Sequence, residues 1–192
     1  AGIDWRKDLE IFELKNPPAV IEAVKSGQVD AGVVWGPHDL RAEEQGLKVV
    51  IRSDELSPGH PCCRLTLEQK TLQQSPETWE RFLKAILRAE KFAQENRKET
   101  IAAIAKYVKL DPALLEKAYY SEHLDQSTDP NVKGIDEFWK TMQASAFVES
   151  TGTITPFIDT GLYRKALESL AKENPRDPYW QKLQKTFAER DI

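Results

Sequence analysis

Apolar positions change their spacing along the chain, and the changes divide it into elements. Leu9, Ile11, Phe12 and Leu14 stand among acidic residues at 8–14, a pattern that suits a strand. After the loop Lys15-Asn16-Pro17, Pro18 opens a short helix with Val20, Ile21 and Val24 on one side, and Gly27 follows as the residue past its end. The run at 29–35 is close to continuously apolar rather than alternating, which predicts a strand buried on both faces, as in a parallel sheet. Gly36 then fits an N-cap and Pro37 the first helical position, where a missing N–H costs nothing. This second helix runs to Gln45 and stops at Gly46, and residues 47–51 form a third strand. The β-α-β-α-β order predicts parallel strands joined by right-handed crossovers.

Residues 53–61 are rich in turn formers, with Pro58, Gly59 and Pro61, and residues 62–67 read as a fourth strand beyond this hinge or crossover. From Ser75 the period becomes helical. Ser75 and Pro76 start a long helix in which Trp79, Phe82, Leu83, Ile86, Leu87 and Ala93 share a face. Further helices follow at Ile101–Val108, after Asp111-Pro112, around residues 132–148, at 161–172 and after Asp177-Pro178. Each is marginal alone and requires a surface for its apolar face. Their aromatic stripes read as core.

Composition narrows the function classes. The chain has 192 residues, 40% hydrophobic and 30% charged, with a net charge of −4. That is the composition of an ordinary globular protein, long enough for one domain or two small ones. Basic residues are scattered, so nothing in the charge pattern suggests a nucleic-acid footprint. No apolar run approaches the roughly 18 residues of a membrane span, and the residues from Ala1 do not read as a basic-plus-apolar leader, so the signal of an exported protein is expected to lie outside this chain.

Candidate chemistry concentrates in two places. A strand that ends at the Gly36-Pro37 turn aims the N–H groups of the next helix above the sheet edge, where an anion or polar ligand could sit; an ordinary structural turn is the alternative. His38 lies at that helix start, where the macrodipole disfavours its cationic form and hydrogen bonding is the expected role. Asp39, in the same turn, would oppose a bound anion. The second place is His60 with the adjacent Cys62 and Cys63. Neighbouring cysteines close a disulfide only in a strained ring, and structural zinc needs more ligands at wider spacing. The thiols therefore read as buried small side chains on a strand, or as two members of a catalytic set whose third is not indicated by spacing.

The segments "NPPAVIEAVKSGQVDAGVVWGPH", "SPGHPCCRL", "SPETWERFLKAILRAEKFAQEN" and "PFIDTGLYRKALE" together resemble the carboxy-terminal portion of a periplasmic-type solute-binding protein of the nitrate/sulfonate/taurine group, which also covers binders of thiamine-pyrimidine precursors. The resemblance spans about residues 9–170. It implies an α/β fold of the type II periplasmic-binding-protein kind: residues 1–57 in the second, parallel-sheet lobe, and residues 58–192 as a crossover strand and helix-rich return to the first. It implies capture of a small polar or anionic solute (sulfonate, nitrate or pyrimidine-like) by hinge closure, delivery to the membrane subunits of an ABC importer, and a periplasmic or extracellular site, with or without a lipid anchor.

On this resemblance Trp35, Gly36, Pro37 and His38 face the solute, with Asn16 and His60 as weaker candidates. Gly36 departs from the family, which usually has an acidic residue there. No cofactor, metal or nucleic acid is implied. The amino-terminal part of such a protein is expected to lie outside this chain, in a missing segment or a second chain. Two alternatives stand beside this reading: a fold-related enzyme of the pyrimidine-precursor synthase type using His60, Cys62 and Cys63, and a helical interaction module.

Overall fold

A computed structural model describes residues 2–192. The helices run in the order α1 (Pro17–Lys25), α2 (His38–Glu44), α3 (Ser53–Leu56), α4 (Gln69–Gln74), α5 (Pro76–Glu95), α6 (Arg97–Ile104), α7 (Pro112–Tyr119), α8 (Val132–Ala144), a 3-10 turn at Thr155–Phe157, α9 (Gly161–Glu173) and α10 (Pro178–Arg190). Their starts follow local capping chemistry. Asp111 and Asp177 accept backbone N–H groups at the starts of α7 and α10, and each is followed by proline at the first helical position.

The expected α/β fold with a parallel-sheet lobe is corrected: among the described residues every regular element is helical and none is a strand. The segments 8–14, 29–35, 47–51 and 62–67 are irregular connections. The physical reason is pairing. A strand is completed by the N–H and C=O groups of a neighbour, and a run apolar on both faces also needs cover on both. Here Val33 is 90% and Val50 85% exposed. Apolar and β-branched residues state a preference for a pleated, half-buried surface without supplying one.

The chain divides into two compact units. The first comprises Ala1–Arg52 and Leu110–Ser121, and its buried side chains are Pro17, Ile21 and Ala23 of α1, Leu40 and Ala42 of α2, and Leu115 of α7. Gly32, in the connection between α1 and α2, lies against the side chains of Val20 and Val24.

The second unit comprises Ser53–Lys109 and Glu122–Ile192. Its core is built where α5, α9 and α10 meet. Leu87 from α5, Tyr163, Ala166, Leu167 and Leu170 from α9, and Trp180, Leu183 and Phe187 from α10 form one buried cluster. The periodicity is the cause: 163, 166, 167 and 170 fall on one face of α9. Fully burying each leucine contributes about 1.5–3 kcal/mol. At the edge of this contact Lys84 of α5 donates to Ser169 Oγ at 2.6 Å, and Arg88 pairs with Glu173 at 3.0 Å.

Candidate functional site

In the first unit the chain turns at Trp35-Gly36-Pro37-His38. The Trp35 carbonyl accepts the His38 N–H at 2.8 Å, and the Gly36–Pro37 peptide is cis. The helix begins at His38 with Pro37 as its N-cap, one residue later than the sequence predicts. The shift has a chemical consequence. Pro37 has no N–H, and that of His38 goes to Trp35, so neither serves as the free anion donor that was expected. What the turn presents is side chains.

Trp35 is 66% exposed and stands edge-on to the His38 ring, with centroids 6.1 Å apart and planes at 88°. The His38 Nδ1 is buried without a hydrogen-bond partner. Burial, and then the charge of Arg41, hold this imidazole below its usual pKa, with Asp39 pulling weakly the other way. The neutral ring is therefore favoured. Asp39 is not the bare negative charge that the sequence suggests: its Oδ2 is paired with the Arg52 guanidinium, which also approaches Glu43 at 3.9 Å. A β-carbon at Gly36 would rest 3.6 Å from Asp39 Oδ1. An acidic side chain there would direct a second negative charge towards Asp39, whereas glycine leaves the space open.

The other two candidates lie elsewhere. Asn16 is the N-cap of α1, its Oδ1 accepting the Ala19 N–H at 3.0 Å. His60 belongs to the second unit, with Nδ1 2.8 Å from the Ser57 carbonyl and its ring 6.1 Å from that of Phe138. The structure thus brings Trp35, Gly36, Pro37 and His38 together in one turn, beside the Asp39–Arg52 ion pair. Arg52 escaped the sequence reading because it stands thirteen residues from its partner.

The second unit holds a pocket of about 240 Å³ lined by Arg64, Leu83, Leu87, Thr128, Asp129 and Tyr163, among others. Glu90 of α5 accepts the Thr128 N–H at 2.7 Å, which fixes the polar wall. Asp129 is only 3% exposed, and neither of its oxygens makes a well-formed hydrogen bond. Its nearest cation is Arg190, at 3.8 Å. Burial, and then the adjacent carboxyl of Asp191, push its pKa up to about 7, against the pull of Arg190 and the Asn131 backbone. Asp191 itself accepts the Val132 N–H at 2.8 Å, at the start of α8. Asp129 was missed in the sequence because its surroundings include Arg190 and Asp191, near the end of the chain.

Cys62 and Cys63 are exposed, not buried as a strand would have them. Their Sγ atoms lie 3.5 Å apart. Among the described residues no group of three His, Cys, Asp or Glu side chains could hold a metal ion. No helix of the described residues is long and apolar enough to cross a membrane.

The model of the NMT1-like family matches residues 1–109. A protein of Brucella abortus (strain 2308) named "Putative binding protein" is 26% identical over 151 residues, covering 73% of this chain and 46% of its own length. A protein of Brucella suis biovar 1 with the same description matches to the same extent. The Nitrate import ATP-binding protein NrtC of Synechocystis sp. is 25% identical over 142 residues, 71% of this chain and 21% of its own. The chain thus spans about half the length of the Brucella relatives or less. No solved structure matches it.

Proposed function

We propose, from the premise that the chain belongs to the NMT1-like family, that it supplies part of a solute-binding protein serving an ABC-type importer. The observation that carries this reading is the extent of the family match, which takes in both the Trp35–Asp39 turn and the His60–Arg64 segment. The relatives named for binding and for nitrate import support it.

The solute is a small polar or anionic molecule of the sulfonate, nitrate or pyrimidine-like kind. Trp35 offers it an aromatic wall, His38 a neutral imidazole, and Gly36 the room to approach the backbone. Pairing of Asp39 with Arg52 offsets the carboxylate that would otherwise repel an anion. Asn16 and His60 are weaker candidates, since each already holds a local backbone group. The protein acts as a binder and not as an enzyme, its partners are the membrane subunits of the importer, and its place is the periplasmic or extracellular face.

Titration calorimetry of the chain against nitrate, taurine, alkanesulfonates and aminopyrimidines tests this. At least one class should bind, and Trp35→Ala should weaken that binding at least tenfold. Absence of heat from every class, or an unaffected Trp35→Ala variant, overturns the reading.

A further inference from the structure

The thiols of Cys62 and Cys63 are chemistry that solute binding leaves unused. In an extended stretch neighbouring side chains point to opposite faces. Here both thiols are exposed and their Sγ atoms converge to 3.5 Å. The backbone around them is held from both sides. Before them, the His60 N–H closes a turn on the Ser57 carbonyl at 3.1 Å, with Gly59 at φ +71°. After them, Arg64 donates from Nη1 to the Cys63 carbonyl at 2.6 Å and from Nε to the Pro130 carbonyl at 2.8 Å. One guanidinium ties the dithiol to the residues that precede α8.

The separation decides what can bridge the pair. Bonds from a soft central atom to sulfur run about 2.3 Å, so the two sulfurs subtend an angle of roughly 99° at such an atom. That is the geometry of a trigonal-pyramidal atom carrying a lone pair. Tetrahedral zinc prefers about 109° and two further ligands, and no third metal-ligating side chain joins this pair among the described residues. A linear two-coordinate ion would need the sulfurs about 4.6 Å apart.

We propose that Cys62 and Cys63 form a bidentate site for a trivalent arsenical carrying one organic group, RAs(OH)₂. Two As–S bonds form as two As–O bonds break. The two thiol protons leave with the two hydroxides as water, and arsenic stays trivalent, so neither oxidant nor reductant is required. The hydrogen bond to Cys63 raises the pKa of the Cys62 thiol, which favours its protonated form. The organic group takes the third position on arsenic. A dithiol therefore favours substituted arsenicals over arsenite, which has three bonds to fill. Cys63 also lines the pocket that Leu65, Leu83, Ile86 and Leu87 wall with apolar surface, which suits an aromatic substituent.

Phenylarsine oxide, added to the reduced protein and followed by intact mass and competition titration, tests the site. One phenylarsenic per chain should bind, survive an excess of a monothiol and be stripped by dimercaptopropanol. Cys62→Ser and Cys63→Ser should each bind at least 100-fold more weakly, and arsenite at least tenfold more weakly than the probe. If either serine variant loses its helical circular dichroism, wild-type protein alkylated at both thiols takes its place and should form no adduct. Wild-type affinity in a single-cysteine variant, an adduct on the alkylated protein, release by the monothiol, or the absence of any adduct overturns the proposal. No imported solute enters these measurements, so this site and the Trp35 site can fail independently.

Discussion

A β-carbon placed on Gly32 would lie 2.5 Å from Cγ1 of Val20 and 3.1 Å from Cγ2 of Val24. The connection between α1 and α2 therefore touches the helix it has just left, and only glycine permits the approach. Gly32→Ala should destabilise the first unit by about 1–3 kcal/mol, the usual cost of overpacking. The Gly32→Ala, Val20→Ala double variant should recover part of that loss in a urea-unfolding cycle. Strict additivity of the two changes would show that the contact does not exist.

Leu170 lies at the centre of the α5–α9–α10 core with no exposed surface. Leu170→Ala should cost about 2–5 kcal/mol, seen as a lower denaturation midpoint. A variant as stable as the wild type would mean that these helices do not pack on each other through this face.

Asp129 gives the second unit a pH dependence of definite sign. An aspartate in the unfolded chain loses its proton near 4, whereas burial and Asp191 keep that of folded Asp129 to about 7. Between those values the folded form holds more protons than the unfolded one, so this group's contribution to stability falls as pH rises from about 4 to about 7. Asp129→Asn removes the contribution. The melting temperature of the wild type relative to the variant should therefore drop across that window by at least ~3 °C, the shift that about 1 kcal/mol produces in a protein of this size. A flat difference would assign Asp129 an ordinary pKa.

Asn131 performs three tasks at the start of α8. Its backbone is left-handed at φ 54°, its Oδ1 accepts the Gly134 N–H at 3.1 Å, and its Nδ2 donates to the Gly59 carbonyl at 3.0 Å. Asn131→Ala should cost about 1–2 kcal/mol in chemical denaturation through the lost cap and the strained backbone. Asn131→Gly should restore the backbone part only. Equal stability of the glycine and alanine variants would rule out the left-handed conformation.

These contacts separate what the sequence states locally from what it leaves to distant partners. Asp111-Pro112 and Asp177-Pro178 announce helix starts because a cap and its proline act within one turn. Leu87 is legible as core because helical spacing fixes the face it occupies. The expected strands were misread because a β-run such as 47–51 names only half of a ladder. Gly36 and Pro37 lie one place earlier relative to α2 than expected because the His38 N–H closes on the Trp35 carbonyl. The neutralisation of Asp39 by Arg52, and the burial of Asp129 beside Asp191, join positions that no local pattern connects.

The edge-on pairing of Trp35 with His38 also makes the turn optically self-reporting. An imidazolium quenches the emission of an adjacent indole, and a neutral imidazole does so far less. Because His38 is held below its usual pKa, the dimming of Trp35 should come at a lower pH than an unperturbed histidine would set. Subtracting the spectrum of a Trp35→Phe variant isolates this emission from that of the other four tryptophans. A solute that settles against the indole would then register its own arrival as a change in light.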